Sequence, residues 1–591
     1  MTIPDSPRST RDPRLLLGLA AVAVAFAAAD TYVVVLALPD MMASTGIPLD
    51  ELQRGAPIVS GFLLGYVAML PLIGRIADLR GRVPVLVAAL VLFAIGSLVT
   101  TVAYDLPSLV VGRFLQGVGG GGLVPATLAL VADLYPADRR GVPLGVVSAV
   151  QELGSVLGPL YGAVILAVSD WRVIFAVNLV VGLLLAALVR RASPAARPAD
   201  RPHGVATLDW AGLVLLAVVL ATAGLVVLEP SRLVSDVTWG QLFIPVTGSG
   251  RWLTPLGLVT VVAFLLLLVR CVTARRPLAD LRGWWGAARQ ADLPGALFLA
   301  TALGGVILAF ATADPRVEVF APQGRWYLLG AALATVAFVW HLRTEPEPLV
   351  PRGALRRTPA WGSLLVSFFV GAALVAALID VPIFARTTVY PDSQLLAALV
   401  LVRFLVALPV GAILGGYLTR RLPAGVVTAA GMVLAAAGFA LMSRWDTTSL
   451  SGWPANVPLL VGGLGFGLAL APVNAAVLAA TDANVHGLAS AGVVVARMVG
   501  MLVGVSALTT IGLRRYYAES RDLPAPMQVC GNGSSRCAAF DDLLRHAGIA
   551  QEHTVFAGAA VCALVAAALA LTLFRGAETR AADLTVGLRV G

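Results

Sequence analysis

Five ionisable residues stand inside long apolar stretches of this chain: Asp30, Arg113, Glu152, Arg403 and Arg497. A charge in an apolar segment is costly, so such residues mark ion or proton chemistry. At 1.5 Å per helical residue, Asp30 lies about 12 Å inside one end of its stretch and Arg113 about 9 Å inside the same side, depths that allow them to pair. Glu152 and Arg403 both fall near mid-depth, at about 16 Å and about 14 Å from opposite ends, and Arg497 lies about 15 Å inside its own stretch. Burial favours the protonated form of a carboxyl and an adjacent guanidinium favours the ionised form. A Glu152–Arg403 pair that forms and breaks would therefore take up and release a proton, and a permanent pair would only lock two segments together. Arg497 could partner either acid. Asp380, nearer an end, reads as a solvated cavity or helix-end residue.

The elements that hold these residues are apolar runs long enough to cross a hydrocarbon core about 30 Å thick. With 58% hydrophobic and 13% charged residues in 591, the chain lacks the polar surface of a soluble protein, and lipid must cover the rest. The fold expected is all-α and membrane-integral, with 16 transmembrane helices. Residues 15–190 form a first bundle of six helices and 358–574 a second. Residues 191–357 hold four inserted helices as two hairpins, 208–273 and 292–342, and 1–14 and 575–591 are tails.

The two inserted hairpins share a pattern. Asp209-x-x-Gly212 and Asp292-x-x-Gly295 open them, Glu229-Pro230 and Asp314-Pro315 end their first helices, and Arg251-Trp252 and Arg325-Trp326 precede their second ones. This reads as a duplication. The large halves also match: with Gly141 set against Gly487, Gly154 meets Gly500 and Gly158 meets Gly504.

All 42 basic residues are Arg, and clusters such as Arg139-Arg140, Arg190-Arg191, Arg275-Arg276, Arg356-Arg357 and Arg420-Arg421 fall between runs on one side. This positive-inside bias places both termini in the cytoplasm. The arginines are dispersed rather than gathered with aromatics on one face, which argues against nucleic-acid binding. Two outer loops are long. Residues 229–253 alternate in a way that predicts a short β-hairpin. Residues 514–552 carry Cys530 and Cys537, which face an oxidising compartment on this topology and are expected to form a disulfide.

Three motifs in order carry a family resemblance. The turn Gly74-x-x-x-Asp78-x-x-Gly81-Arg82, the stretch Leu109-x-x-x-Arg113-x-x-Gln116-Gly117-x-Gly119, and Gly154-x-x-x-Gly158-Pro159-x-x-Gly162 resemble signatures of the major facilitator superfamily, in its drug:proton antiporter-like class with extra central helices. The resemblance implies that Gly74, Asp78, Gly81 and Arg82 form a latch, the acid reaching the cytoplasmic end of helix eleven. It implies that Arg113 faces the cavity, and that Gly154, Gly158, Pro159 and Gly162 form a groove of helix five typical of exporters that exchange substrate for protons. Leu79 stands where the family often has Arg, so the latch draws on other donors.

The segments around Arg403 and Arg497, together with the long last outer loop, resemble the mycobacterial branch that exports triacylglycerides alongside a periplasmic lipoprotein. That resemblance implies a monomeric, proton-driven exporter of apolar glycerolipids in the bacterial inner membrane, with no cofactor besides the proton gradient. Four inserted helices depart from that branch's two. The alternative is multidrug:proton antiport of amphipathic cations drawn to Asp30 or Glu152, and a remote one is a membrane-embedded sensor or lipid enzyme. No Walker sequence, nucleophile elbow, H-E-x-x-H pair or metal-ligand spacing is present, so no catalytic or metal residue is assigned.

Overall fold

The computed structural model describes residues 13–47, 52–193, 209–247, 250–274, 277–311, 323–391, 393–521, 523–530, 537–577 and 579. Among them there are helices and turns and no strand. Fifteen helices are long and apolar enough to span a membrane, or up to 16 when one bent pair counts as a single span.

The first half holds α1 (Pro13–Ser44), α2 (Leu52–Ala68), α3 (Leu70–Arg80), α4 (Arg82–Thr101), α5 (Leu106–Leu134), α6 (Gly141–Val168) and α7 (Trp171–Ala192). Helices α2 and α3 are one apolar run bent by 40°. The break falls at Met69, where Pro71 lacks the N–H that would continue the helix and its ring crowds the preceding turn. The second half holds α14 (Thr358–Thr388), α15 (Gln394–Leu418), α16 (Ala424–Met442), α17 (Asn456–Ala480), α18 (His486–Arg521), α19 (Pro526–Cys530) and α20 (Ala538–Leu573).

Each half is assembled by glycines that let helix backbones touch. Helix α1 lies in the groove of α6, with Ala25, Ala29 and Val33 opposite Gly154, Gly158 and Gly162, a spacing of four residues on both sides. In the second half Phe368 and Ala372 of α14 lie on Gly500 and Gly504 of α18 in the same way. Small residues at four-residue spacing permit this approach, which dispersion then stabilises in a membrane. The internal match of Gly154 with Gly500 and Gly158 with Gly504 is thus a match of packing. Pro159 falls within α6.

The insertion consists of α8 (Trp210–Leu228), the single turn α9 (Ser231–Val234), α10 (Pro255–Thr273), a ten-residue α11 (Leu281–Gln290), α12 (Leu293–Ala311) and α13 (Gly324–Thr344). Helix α8 packs on α10 and α12 on α13. In each hairpin the opening aspartate does two jobs. Asp209 accepts from the Gly212 N–H at 3.1 Å and pairs with Arg270 in the last turn of α10 at 2.9 Å. Asp292 accepts from the Gly295 N–H at 2.9 Å and meets His341 in the last turn of α13 at 2.7 Å. An acid that caps one helix and holds a base at the end of its partner fixes both orphan ends at once. Arg275, Arg276, Asp314 and Pro315 lie outside the described residues.

Two expectations about loops are corrected. The described residues of 229–253 form no β-hairpin. Glu229 ends α8 in the left-handed region (φ +39°), Pro230 starts α9, and the Asp236 carboxylate accepts from the N–H groups of Thr238 and Trp239 to hold a 3₁₀ turn. Proline and Asx capping thus override the alternation. The 514–552 segment is mostly helical: α18 runs on to Arg521, supported by the Arg515–Glu519 pair at 2.6 Å, and α20 begins at Ala538. The Cys530–Cys537 disulfide is formed between α19 and the start of α20.

Candidate functional site: a cavity between the halves and its ion pairs

A cavity at the centre of the molecule is walled by both halves, from Val124 and Leu128 of α5 and Gln151 and Glu152 of α6 to α14, α17 and α18. Its wall is chiefly Val, Leu and Ala, with a few polar groups set into it, among them Ser148, Asn474 and Arg497. The Asn474 amide donates to Leu470 O at 3.0 Å, and its Oδ1 is buried with no partner in the structure.

Glu152 and Arg497 meet across this cavity at 3.9 Å, one from each half, and the Tyr66 phenol lies within the field of both. The carboxyl partner expected from depth was Arg403. Helix α15, which carries Arg403, touches α6 lower down, at the Gly141–Gly416 and Gly145–Ala412 contacts, and contributes nothing to the cavity wall. Arg403 is half-buried and, among the described residues, has no ion-pair partner. Arg497, which depth also allowed as a partner of either acid, is the one that faces Glu152.

Asp30 and Arg113 do pair, at 2.7 Å, with both side chains almost fully buried. They lie inside the first half and not on the cavity wall, which corrects the expectation that Arg113 faces the cavity. The Asp30 carboxylate also accepts from the Asn178 amide. Arg113 donates to Gln116 at 3.1 Å and stacks over the Phe62 ring at 4.3 Å. Gln116 in turn donates to Ser97 at 2.9 Å and accepts from Thr100 at 3.0 Å. The pair therefore sits in a hydrogen-bond network that satisfies the Asp30 carboxylate and the Arg113 Nη1, leaving the buried Arg113 Nε without a partner.

At the end of the bundle that carries the α3–α4 turn, the halves are latched. Asp78 accepts from the Gly487 N–H at 2.8 Å and the Leu488 N–H at 3.0 Å, two of the unpaired donors at the start of α18. Arg82 binds Asp78 at 3.2 Å, Asp133 at 3.3 Å and the Ala483 carbonyl at 2.7 Å, while Arg75 reaches the Asn484 carbonyl at 3.2 Å. Gly74 and Gly487 are in backbone contact, leaving no room for a Cβ on either. Gly81 takes φ +91°, which a side chain would resist, and so sets the sharp turn into α4. Arg80 turns away to pair with Asp280 at 2.8 Å and to lie over Trp284 at 4.6 Å, tying the turn to α11.

Several residues gain roles that spacing did not assign. His486, the first residue of α18, is buried with Nε2 against the Leu478 and Thr481 carbonyls at 3.1 and 3.2 Å. Trp171 and Phe175 of α7 are core residues, and Asn178 of the same helix is the Asp30 partner. Asp380 is buried rather than solvated, and so is Glu552 of α20, a residue assigned to a loop by its sequence.

The sequence model of the Major Facilitator Superfamily matches residues 20–505. The chain belongs to the Major Facilitator Superfamily. The transporter is 34% identical over 533 residues to a triacylglyceride transporter of Mycolicibacterium hassiacum, covering 87% of this chain and 83% of the relative. It is 33% identical over 575 residues to a triacylglyceride transporter of Mycobacterium tuberculosis, covering 95% and 94%. Among solved structures it resembles the human organic anion transporter MFSD10, with a TM-score of 0.54, 12% identity and coverage of 94% of this chain and 99% of that one. It also resembles the proton:xylose symporter XylE, with a TM-score of 0.51, 15% identity and coverage of 94% and 95%. These two share the fold. The chain is a transporter and not an enzyme.

Proposed function

We propose that this transporter moves triacylglyceride or a similar apolar glycerolipid outward from the bacterial inner membrane by alternating access, driven by protons, with both termini in the cytoplasm. Support for the substrate comes from relatives named for triacylglyceride transport that align over most of the chain. It also comes from a cavity wall of Val, Leu and Ala, since acyl chains need no hydrogen-bond partners.

Support for proton coupling is the Glu152–Arg497 contact, the observation that carries the mechanism. It crosses the halves at 3.9 Å, the loose limit of an ion pair, so rocking of one half against the other separates the charges. Once Arg497 withdraws, a desolvated Glu152 carboxylate is left without compensation, and a proton neutralises it. Asp30, satisfied by Arg113 and Asn178 within one half, has no such reason to titrate with the rocking motion. The Asp78 latch holds the cytoplasmic end closed until the α18 start moves away.

The paired extensions of α18 and α20, closed by the Cys530–Cys537 bridge, offer a surface on the outer side for handing lipid to a periplasmic acceptor lipoprotein. Proteoliposomes carrying labelled triacylglyceride, and separately a cationic dye, under an imposed pH gradient test the proposal. Gradient-dependent lipid movement that Glu152→Gln abolishes is expected. Dye movement without lipid movement would replace the lipid reading with multidrug antiport.

A further inference from the structure

We propose that Asp380 and Glu552 form a second proton-binding site, wholly within the second half, in which the two carboxyls hold a proton between them. Asp380 lies two turns before the end of α14, and Glu552 lies on α20 beside it. The residues are only 4% and 1% exposed. The contact of Phe384 with Phe556, each one turn beyond its acid, sets the two side chains against each other at one level of the α14–α20 seam, where two ionised carboxylates would repel with no solvent to screen them. Glu552 Oε1 accepts from Gln551 at 3.2 Å, and its Oε2 is buried with no donor in the structure. One turn further along, Phe384 and Phe556 close over the pair with Trp445, at centroid separations of 5.3 Å and 6.0 Å from the indole.

No cation neutralises the pair. Helices α16 and α17 carry no ionisable side chain at all. Arg403 on α15 is the nearest basic group from that element, at mid-depth. On α18, Arg497 lies at the level of Gly371, more than two turns from Asp380, and Arg514 and Arg515 are exposed, Arg515 being paired with Glu519. Arg386, Arg444, Asp446, Arg545 and His546 are exposed. His553, next in sequence to Glu552, turns its Nε2 to the Trp445 carbonyl at 2.6 Å. Among the described residues neither acid has an ion-pair partner.

The pseudo-symmetry of the halves makes the contrast informative. In the first half, Asp30 on α1 meets Asn178 on α7, and Arg113 of α5 supplies the balancing charge. In the second, Asp380 on α14 meets Glu552 on α20, the helices at the corresponding places in the bundle. The helix corresponding to α5 is α17, which has no arginine. Where one half balances its acid with a guanidinium, the other must balance it with hydrogen. This site is independent of the Glu152–Arg497 coupling.

Infrared spectra of the full-length transporter in lipid nanodiscs, titrated from neutral to alkaline pH, test it. Wild type is expected to show a protonated-carboxyl C=O component at neutral pH. Glu152→Gln should retain it, and the Asp380→Asn/Glu552→Gln double variant should lose it. Each single variant should move its alkaline midpoint, since the two groups titrate as one unit; these midpoints decide the matter if the double variant does not fold. A component unchanged in the double variant, midpoints unchanged in both single variants, or removal of the component by sodium at constant pH would overturn the proposal, the last in favour of a metal cation. Transport by Glu152→Gln is a separate readout, so failure of the coupling reading would not be mistaken for failure of this one.

Discussion

At the scale of single residues, the two buried ion pairs are built for different work. Asp30–Arg113 is short, buried in a hydrogen-bond network and confined to one half, whereas Glu152–Arg497 is long and spans the halves. Removing one partner of a buried ion pair costs about 3–5 kcal/mol, because the survivor keeps its charge without compensation. Asp30→Asn is therefore expected to lower the thermal midpoint of the detergent-purified transporter clearly, leaving Arg113 charged against a neutral amide. Glu152→Gln is expected to leave that midpoint within a few degrees of wild type and to abolish gradient-driven transport. A thermal scan of both variants beside the proteoliposome assay checks the contrast, and equal thermal losses would contradict it. The ionisable residues themselves were legible in the sequence, since a charge inside an apolar run stands out. Matched depth also made the Asp30–Arg113 pair legible, but not the partner of Glu152, because Arg403 and Arg497 lie at similar depth and only the rotation of each helix about its axis decides which one faces it.

At the scale of elements, glycine spacing is the quantity that survives from sequence to packing. A Cβ at Gly154 would meet the Ala25 backbone, which cannot move aside without shifting α1. Gly154→Ala is expected to destabilise the first half by about 1–3 kcal/mol, read as a fall in thermal midpoint, whereas Gly224→Ala on α8, where nothing lies within 4 Å of the added methyl, should change little. The latch is a second element-level device. Asp78→Ala removes the acceptor that holds the start of α18, a cap worth about 0.5–2 kcal/mol. The populations of the two conformations should shift accordingly. Cross-linking of cysteines placed at Arg75 and Asn484 is expected to fall several-fold in that variant, and an unchanged yield would show that the glycine contact alone keeps this end closed. The β-hairpin expected at 229–253 failed for a local reason: Pro230 and the Asp236 carboxylate organise helical turns there, and a two-residue alternation cannot outweigh them.

Across the whole molecule, the insertion and the extensions of α18 and α20 are the features that distinguish this transporter from a bare pair of six-helix bundles. Helix α12 packs on both α2 and α18, so the second inserted hairpin bridges the seam between the halves, while Arg80 ties α11 to the latch turn. Arg80→Ala removes both the Asp280 pair and the Trp284 stacking, and is expected to slow transport by uncoupling α11 from the turn without preventing assembly; initial rates at saturating substrate check this. Shortening the α18–α20 extension between Arg521 and Ala538 should leave the fold and the latch intact, and should reduce lipid release to an acceptor while sparing binding. Normal release would remove the docking role.

What the sequence by itself determined was the class of object: apolar run length set the number of spans, glycines at four-residue spacing set which faces touch, and the Asp78 turn with its neighbours set the family. Those properties are local, encoded by residues within one or two helical turns of each other. What only the tertiary structure decided was who meets whom across helices distant in sequence: Arg497 rather than Arg403 at Glu152, Asn178 at Asp30, Glu552 at Asp380. Such pairings depend on the rotation and tilt of packed helices, which many weak contacts set jointly and no short stretch of sequence records.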